Sequence, residues 1–115
     1  MARGTVIYHN PRCSTSRKTL ELLHALGIEP EVVEYLKTPP SRDELSSMIR
    51  AAGIDVRAAV RKREVLYAEL SLAEASDDQL LDAMAEHPIL IERPFVVTPK
   101  GTRLARPVDT VREVL

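Results

Sequence analysis

Residues 8 to 23 read YHNPRCSTSRKTLELL and contain the only cysteine of the 115-residue chain. Cys13 is followed by three hydroxyl side chains, Ser14, Thr15 and Ser16, and has Arg12, Arg17 and Lys18 close by, with His9 four residues upstream. If a helix begins here, its first backbone N–H groups are unpaired and its dipole presents positive charge, which favours a thiolate over a thiol. The same amides, with the hydroxyl groups of Ser14, Thr15 and Ser16 as further donors, suit an oxyanion. Such a set can carry out nucleophilic attack by a low-pKa thiolate on an anion held beside it.

Each of these residues also has a plainer role. A free cysteine commonly acts as a small buried hydrophobe. Cys13 instead lies among proline, arginine and hydroxyl residues and off the apolar positions around it, which favours a reactive thiol. The hydroxyl residues are good helix caps, and capping is compatible with anion binding. His9 reads equally as a group that adds positive charge or orients the thiol, or as a satisfied structural imidazole at a strand end. Ser16 stands where a redox pair would place its second cysteine, so a dithiol cycle within the chain is excluded.

Most basic residues of a small protein are solvated surface charge. Three stand apart by context: Arg93 directly before Pro94, Arg106 directly before Pro107, and Arg61 in the AVRKRE turn. Guanidinium groups make bidentate contacts with tetrahedral oxyanions, the kind of ligand that the Cys13 segment suits.

The elements that must position these groups are legible from periodicity and punctuation. GTVIYHN, residues 4 to 10, reads as a strand ending near His9. A helix follows from around Cys13 to Thr15, with Leu20, Leu23 and Leu26 on its apolar face and Leu22 beside them, stopped by Gly27 and Pro30. EVVEYL reads as a second strand. Strand, helix, strand is a βαβ unit with parallel strands and a right-handed crossover, so Cys13 falls on its βα loop. Between Pro39 and Pro88 the pattern is helical, with capping boxes at Ser41-x-x-Glu44 and Ser76-x-x-Gln79, a stop at Gly53, and one or two short helices in VRAAVRKREVLYAEL. FVVT and TRLAR flank Pro99-Lys100-Gly101 as a β-hairpin that brings Arg93 and Arg106 to one end of the sheet, and PVDTVREVL reads as a short amphipathic helix packed back on it.

The expected fold class is therefore α/β: a mixed four-stranded sheet, made of a βαβ unit and a C-terminal β-hairpin, with a helical insertion, all in a single domain over residues 1–115. A hydrophobic content of 44% is enough for one modest core. The net charge of −1, from 16 basic and 17 acidic residues mixed along the chain, argues against nucleic-acid binding. Met1-Ala2-Arg3 leads directly into the first strand, and no apolar run approaches the ~18 residues of a membrane span, so the expectation is a soluble cytoplasmic protein with no membrane partner. One cysteine and three scattered histidines, His9, His24 and His87, leave no internal disulfide and no cysteine-based zinc site.

On IYHNPRCSTSRKTLELL, TPPSRDEL, VRKRE and HPILIERPFVVTPKGTRLARP, in that order, the sequence resembles the glutaredoxin-coupled arsenate reductase family, a group with the thioredoxin-like fold. With its end at Leu115 it is similar to a short branch of that family. The resemblance implies that Cys13 is the nucleophile, that His9 favours its thiolate, and that Ser16 hydrogen-bonds to it. It further implies that Arg61, Arg93 and Arg106 bind the oxyanion and stabilise product, and that Pro94 is a cis-proline opposite the cysteine. The implied reaction reduces arsenate to arsenite through a covalent adduct on Cys13, with glutathione as co-substrate, glutaredoxin as partner and no tightly bound cofactor. The resemblance also extends to Spx-type redox-sensing regulators that bind RNA polymerase, which commonly carry a second cysteine where Ser16 stands. A reductase for another oxyanion is a third reading.

Overall fold

Alternation explains the first strand: in β1, Val6–His9, the side chains of Ile7 and His9 are buried while Val6 and Tyr8 are partly exposed. The computed structural model describes residues 4–115. Met1, Ala2 and Arg3, expected to lead straight into β1, lie outside the described residues. Helix α1, Ser14–Ala25, begins where the capping residues cluster. It ends at Gly27, whose φ of +78° allows a Schellman motif: Gly27 N–H donates to the His24 carbonyl and Ile28 N–H to that of Leu23, both at 2.9 Å. Strand β2, Glu31–Glu34, then runs parallel to β1 in the register Val6 to Glu31 through His9 to Glu34. It is shorter than EVVEYL suggested, because Tyr35 turns inward and the chain bends over Leu36 and Lys37.

Strand β3, Phe95–Thr98, pairs antiparallel with β1, and β4, Gly101–Leu104, pairs antiparallel with β3. The sheet order is β2-β1-β3-β4, the mixed four-stranded sheet expected. The Pro99-Lys100 turn is braced by Thr98, whose hydroxyl accepts from Lys100 N–H at 3.0 Å and donates to the Val114 carbonyl at 2.6 Å. The expected terminal helix is present over Val108–Val114 but is wound as a 3-10 helix. Val111 and Val114 from this turn join Ile7, Leu23, Val96 and Ala105 in one fully buried cluster.

The apolar face expected on α1 is met at Leu23, with Leu20 and Leu22 packed against the core, but not at Leu26. Its buried residues are Ser16, Thr19 and Leu23, whereas Leu26 is 46% exposed. Two polar residues can lie inward because their hydroxyls are satisfied: that of Thr19 donates to the Thr15 carbonyl at 2.8 Å, and that of Ser16 has the partners described below.

The described residues divide into two compact units, one holding this sheet with residues up to Thr38 and Arg93–Leu115, the other spanning Pro39–Glu92. The second is helical, as its periodicity predicts. Both capping boxes are formed: Ser41 opens α2, Arg42–Ala52, and Ser76 opens α4, Asp77–Glu86, with the short α3, Val65–Glu69, between them. Arg42 on α2 bonds Asp78 and Asp82 on α4 at 3.1 and 2.6 Å. The middle of the unit is tied to its C-terminal end by an antiparallel bridge between Val60 and Ile91, with Arg61 N–H on the Leu90 carbonyl and Glu92 N–H on that of Ala59, both at 2.7 Å. An Arg57 clamp on the Leu72 and Ala75 carbonyls and the Tyr67 hydroxyl completes it, a role its sequence context does not reveal.

Candidate functional site

The loop leaving β1 is held by a small set of bonds centred on Asn10, which is 4% exposed. Its carbonyl accepts from Cys13 N–H at 3.0 Å, its side-chain oxygen accepts from Arg12 N–H at 2.9 Å, and its own N–H donates to the Ser16 hydroxyl at 3.0 Å. Asparagine readily folds the chain back in this way, and Pro11 has no N–H to satisfy within the turn. Cys13 is thereby fixed as the N-cap of α1, in an extended conformation, with its carbonyl accepting the first helical bond from Arg17 N–H at 3.0 Å. Sequence reading missed Asn10. The only signal was an asparagine–proline pair three residues before the cysteine.

Register explains how residues far along the chain reach this loop. Phe95 pairs with Tyr8 on one side and Leu104 on the other, so the residues just before β3 and just after β4 lie at the end of the sheet from which the Cys13 loop departs. Arg93 and Arg106 are those residues. Both precede cis peptide bonds, Arg93–Pro94 and Arg106–Pro107; the first was expected from the resemblance and the second was not. Arg106 is oriented by the backbone of Arg93: Nε donates to the Arg93 carbonyl at 2.8 Å, leaving Nη2 3.6 Å from Cys13 Sγ. Arg93 is buried, at 7% exposure.

Burial pushes the Cys13 thiol up, but the Ser16 backbone N–H, the hydrogen bond from Arg93 and the charges of Arg93 and Arg106 outweigh it, so the pKa falls below that of an ordinary thiol. The residue is neither enclosed nor fully exposed. A helix N-terminus supplying a backbone donor, with two guanidinium groups beside it, therefore surrounds the thiol.

Of the two roles open to His9, the structure matches the satisfied structural imidazole. Its Nδ1 lies 2.6 Å from the Ser16 hydroxyl, and desolvation, with a contribution from Arg17 and against the pull of Glu34, lowers its pKa and favours the neutral ring. Ser16 engages the thiol through its backbone N–H, while its hydroxyl is taken up by His9 and Asn10. The pair braces the loop rather than adding charge to it. Ser14 is exposed and Thr15 partly so, at the open first turn of α1. Arg12, Arg17 and Lys18 are exposed, and Arg17 donates to the Pro11 carbonyl at 2.8 Å. Arg61 belongs to the helical unit, where its guanidinium bonds Glu92 at 3.1 Å and Glu64 at 3.4 Å. Among the described residues, no group of three His, Cys, Asp or Glu side chains is arranged to hold a metal ion, and no helix is long and apolar enough to cross a membrane.

The lowered thiol pKa has a direct readout. Alkylation of Cys13 by iodoacetamide should accelerate as pH rises through its pKa and then level off, with a midpoint below the ~8.5 of a free cysteine. Arg106→Ala should move that midpoint upward, and His9→Ala should move it less. A wild-type midpoint at or above the free value would contradict the arrangement described.

A family model described as the ArsC family matches residues 8–114. An arsenate reductase of Rhizobium meliloti (strain 1021) is 60% identical over 111 residues, covering 95% of this chain and 79% of that protein. One from Escherichia coli (strain K12) is 57% identical with the same coverage. Among solved structures, an arsenate reductase from Vibrio cholerae superposes with a TM-score of 0.92 at 52% identity, over 96% of this chain and 97% of that one. The thioredoxin-like fold implied by the sequence resemblance is the fold adopted.

Proposed function

The chain belongs to the ArsC family, and from that premise we propose that it reduces arsenate to arsenite with Cys13 as nucleophile and glutathione and glutaredoxin as its thiol partners. The observation that carries this reading is the Cys13 sulfur at a helix N-terminus with the Arg106 guanidinium 3.6 Å away. A thiolate and an arsenate oxyanion repel each other, so attack requires fixed positive charge that is present before substrate arrives. Arg93 and Arg106 supply it, and Ser14 and Thr15 at the first turn of α1 offer further donors. Arg61 is assigned to the same anion by the resemblance alone.

In the first step the Cys13 thiolate attacks arsenic; a sulfur–arsenic bond forms, an arsenic–oxygen bond breaks, and the departing oxygen leaves as water after protonation. No oxidation state changes. In the second step a glutathione thiolate attacks the Cys13 sulfur. A sulfur–sulfur bond forms and the sulfur–arsenic bond breaks with its electron pair left on arsenic, so arsenic(V) becomes arsenic(III) and two thiols become one mixed disulfide. Glutaredoxin then takes the glutathione sulfur and frees Cys13. All electrons come from thiols, so the cycle needs no tightly bound cofactor, and a reducing cytoplasm is the compartment that keeps those thiols available.

The test is arsenate-dependent NADPH oxidation in the presence of glutathione, glutaredoxin and glutathione reductase. Turnover should disappear when either glutathione or glutaredoxin is omitted. Sustained turnover with thioredoxin as the only thiol source would overturn the coupling, and no arsenate-dependent oxidation under any of these conditions would overturn the substrate.

A further inference from the structure

Beside the Cys13 loop a second feature lies on the β2 side of the sheet. A cavity of about 210 Å³ opens there, lined by His9, Pro11, Arg12, Glu34, Leu36 and Lys37 among others. His9 ends β1, and Glu34 opposite it ends β2. The cavity thus lies beyond the carboxyl ends of the two parallel strands, on the same end of the sheet as the Cys13 loop. Its wall includes Pro11 and Arg12, the two residues that immediately precede Cys13.

The lining has a definite charge pattern. Arg12 and Lys37 bring two positive charges and Glu34 one negative charge, with Lys37 Nζ 3.5 Å from a Glu34 carboxylate oxygen. Leu36, 43% exposed, contributes an apolar surface between them. A ligand that complements this lining carries two carboxylates and one ammonium, and places one carboxylate beside the ammonium at one end. The volume is smaller than the roughly 300–1,000 Å³ of sites that enclose a drug-sized molecule. It therefore suits one end of an extended ligand whose remainder lies outside.

We propose that this cavity docks the small-thiol co-substrate, glutathione, by its γ-glutamyl end, so that its cysteinyl sulfur is delivered over Pro11 to Cys13. The inference rests on the reading that glutathione supplies the second sulfur. The γ-glutamyl head presents an ammonium to Glu34 and a carboxylate to Lys37, and the glycine carboxylate lies toward Arg12. The cysteinyl residue between those ends needs to cross only the width of the Pro11–Arg12 turn, about 4–7 Å for one to two residues of chain. The lining residues carry a net charge of +1 against −1 for glutathione with its thiol protonated, so approach is favoured as well as docking.

The test uses S-methylglutathione, which cannot react with Cys13, titrated into the isotopically labelled full chain. Amide shifts should move at His9, Leu36 and Lys37. Lys37→Glu, which reverses one exposed charge, should weaken this binding about five-fold and raise KM for glutathione by a similar factor. It should leave KM for arsenate and the rate of Cys13 alkylation where they were, and Lys37→Arg should restore most of the loss. Shifts that map elsewhere, or a glutathione KM unmoved by Lys37→Glu while turnover still requires glutathione, would overturn the docking site alone. Shifts at the cavity in a protein that fails to reduce arsenate would support the docking site while rejecting the arsenate reading.

Discussion

Cys13→Ser abolishes arsenate turnover, with an expected loss on the order of 10⁴-fold or more, as found when a covalent nucleophile is removed. Size is not the reason, since serine fits wherever cysteine does. A serine hydroxyl is hardly ionised near neutral pH, and the backbone donor and guanidinium groups that lower the Cys13 pKa cannot bring an alcohol within range. The same chain also has no second thiol to take over. Reduction by two electrons needs two sulfurs, and one of them must therefore come from outside. Mass spectrometry of wild-type protein stopped during turnover should find glutathione attached at Cys13, and the Cys13→Ser protein should carry none. A serine variant with appreciable turnover, or a wild-type protein that never carries the adduct, would reject the proposed sequence of steps.

Arg106→Ala should lower kcat/KM for arsenate by about 10²- to 10³-fold, the range seen when a fixed donor to a developing oxyanion is lost. The bond from Arg106 Nε to the Arg93 carbonyl orients the side chain so that a different part of the same guanidinium faces Cys13. Lysine cannot occupy both positions with a single ammonium, and Arg106→Lys should recover only a small part of the activity. The melting temperature should change little, because the Arg106 side chain is only part-buried. Arg93 requires a different substitution. It is buried, so truncation to Ala would remove packing together with charge, and Arg93→Met keeps much of the volume while removing the charge. A loss comparable to that of Arg106→Ala is expected, with a second signature in the upward shift of the Cys13 alkylation midpoint. Arg63, exposed and without a role in the site, is the control. If Arg63→Ala costs as much, general charge rather than these two guanidinium groups is responsible.

The parts of this protein that could be read from the residues are those governed by local chemistry. The Ser41 and Ser76 capping boxes, the stop at Gly27, the βαβ unit and the hairpin around Pro99-Lys100 each depend on side chains within a few positions of one another. The helix start at Cys13 is of the same kind, and with it comes most of the case for a reactive thiol. Leu26 was misjudged because periodicity locates an apolar stripe but not which edge of it the neighbouring elements cover. The terminal turn was read as a helix without its 3-10 winding, which is set by Val111 and Val114 having to meet the same cluster as Ile7 and Leu23.

The electrostatic character of the site was decided by tertiary structure. Arg106 stands 93 positions from Cys13, and only the order β2-β1-β3-β4, with β1 paired to the hairpin, brings the two within 3.6 Å. Burial determined the behaviour of His9: in sequence it is a histidine near a cysteine, but in the fold desolvation favours its neutral form and its ring is spent on Ser16. Strand pairing and desolvation both depend on what lies across the chain rather than along it, so no local pattern encodes them. The sequence by itself determined that a thiol would sit at the start of a helix; the assembled sheet decided which charges would face it.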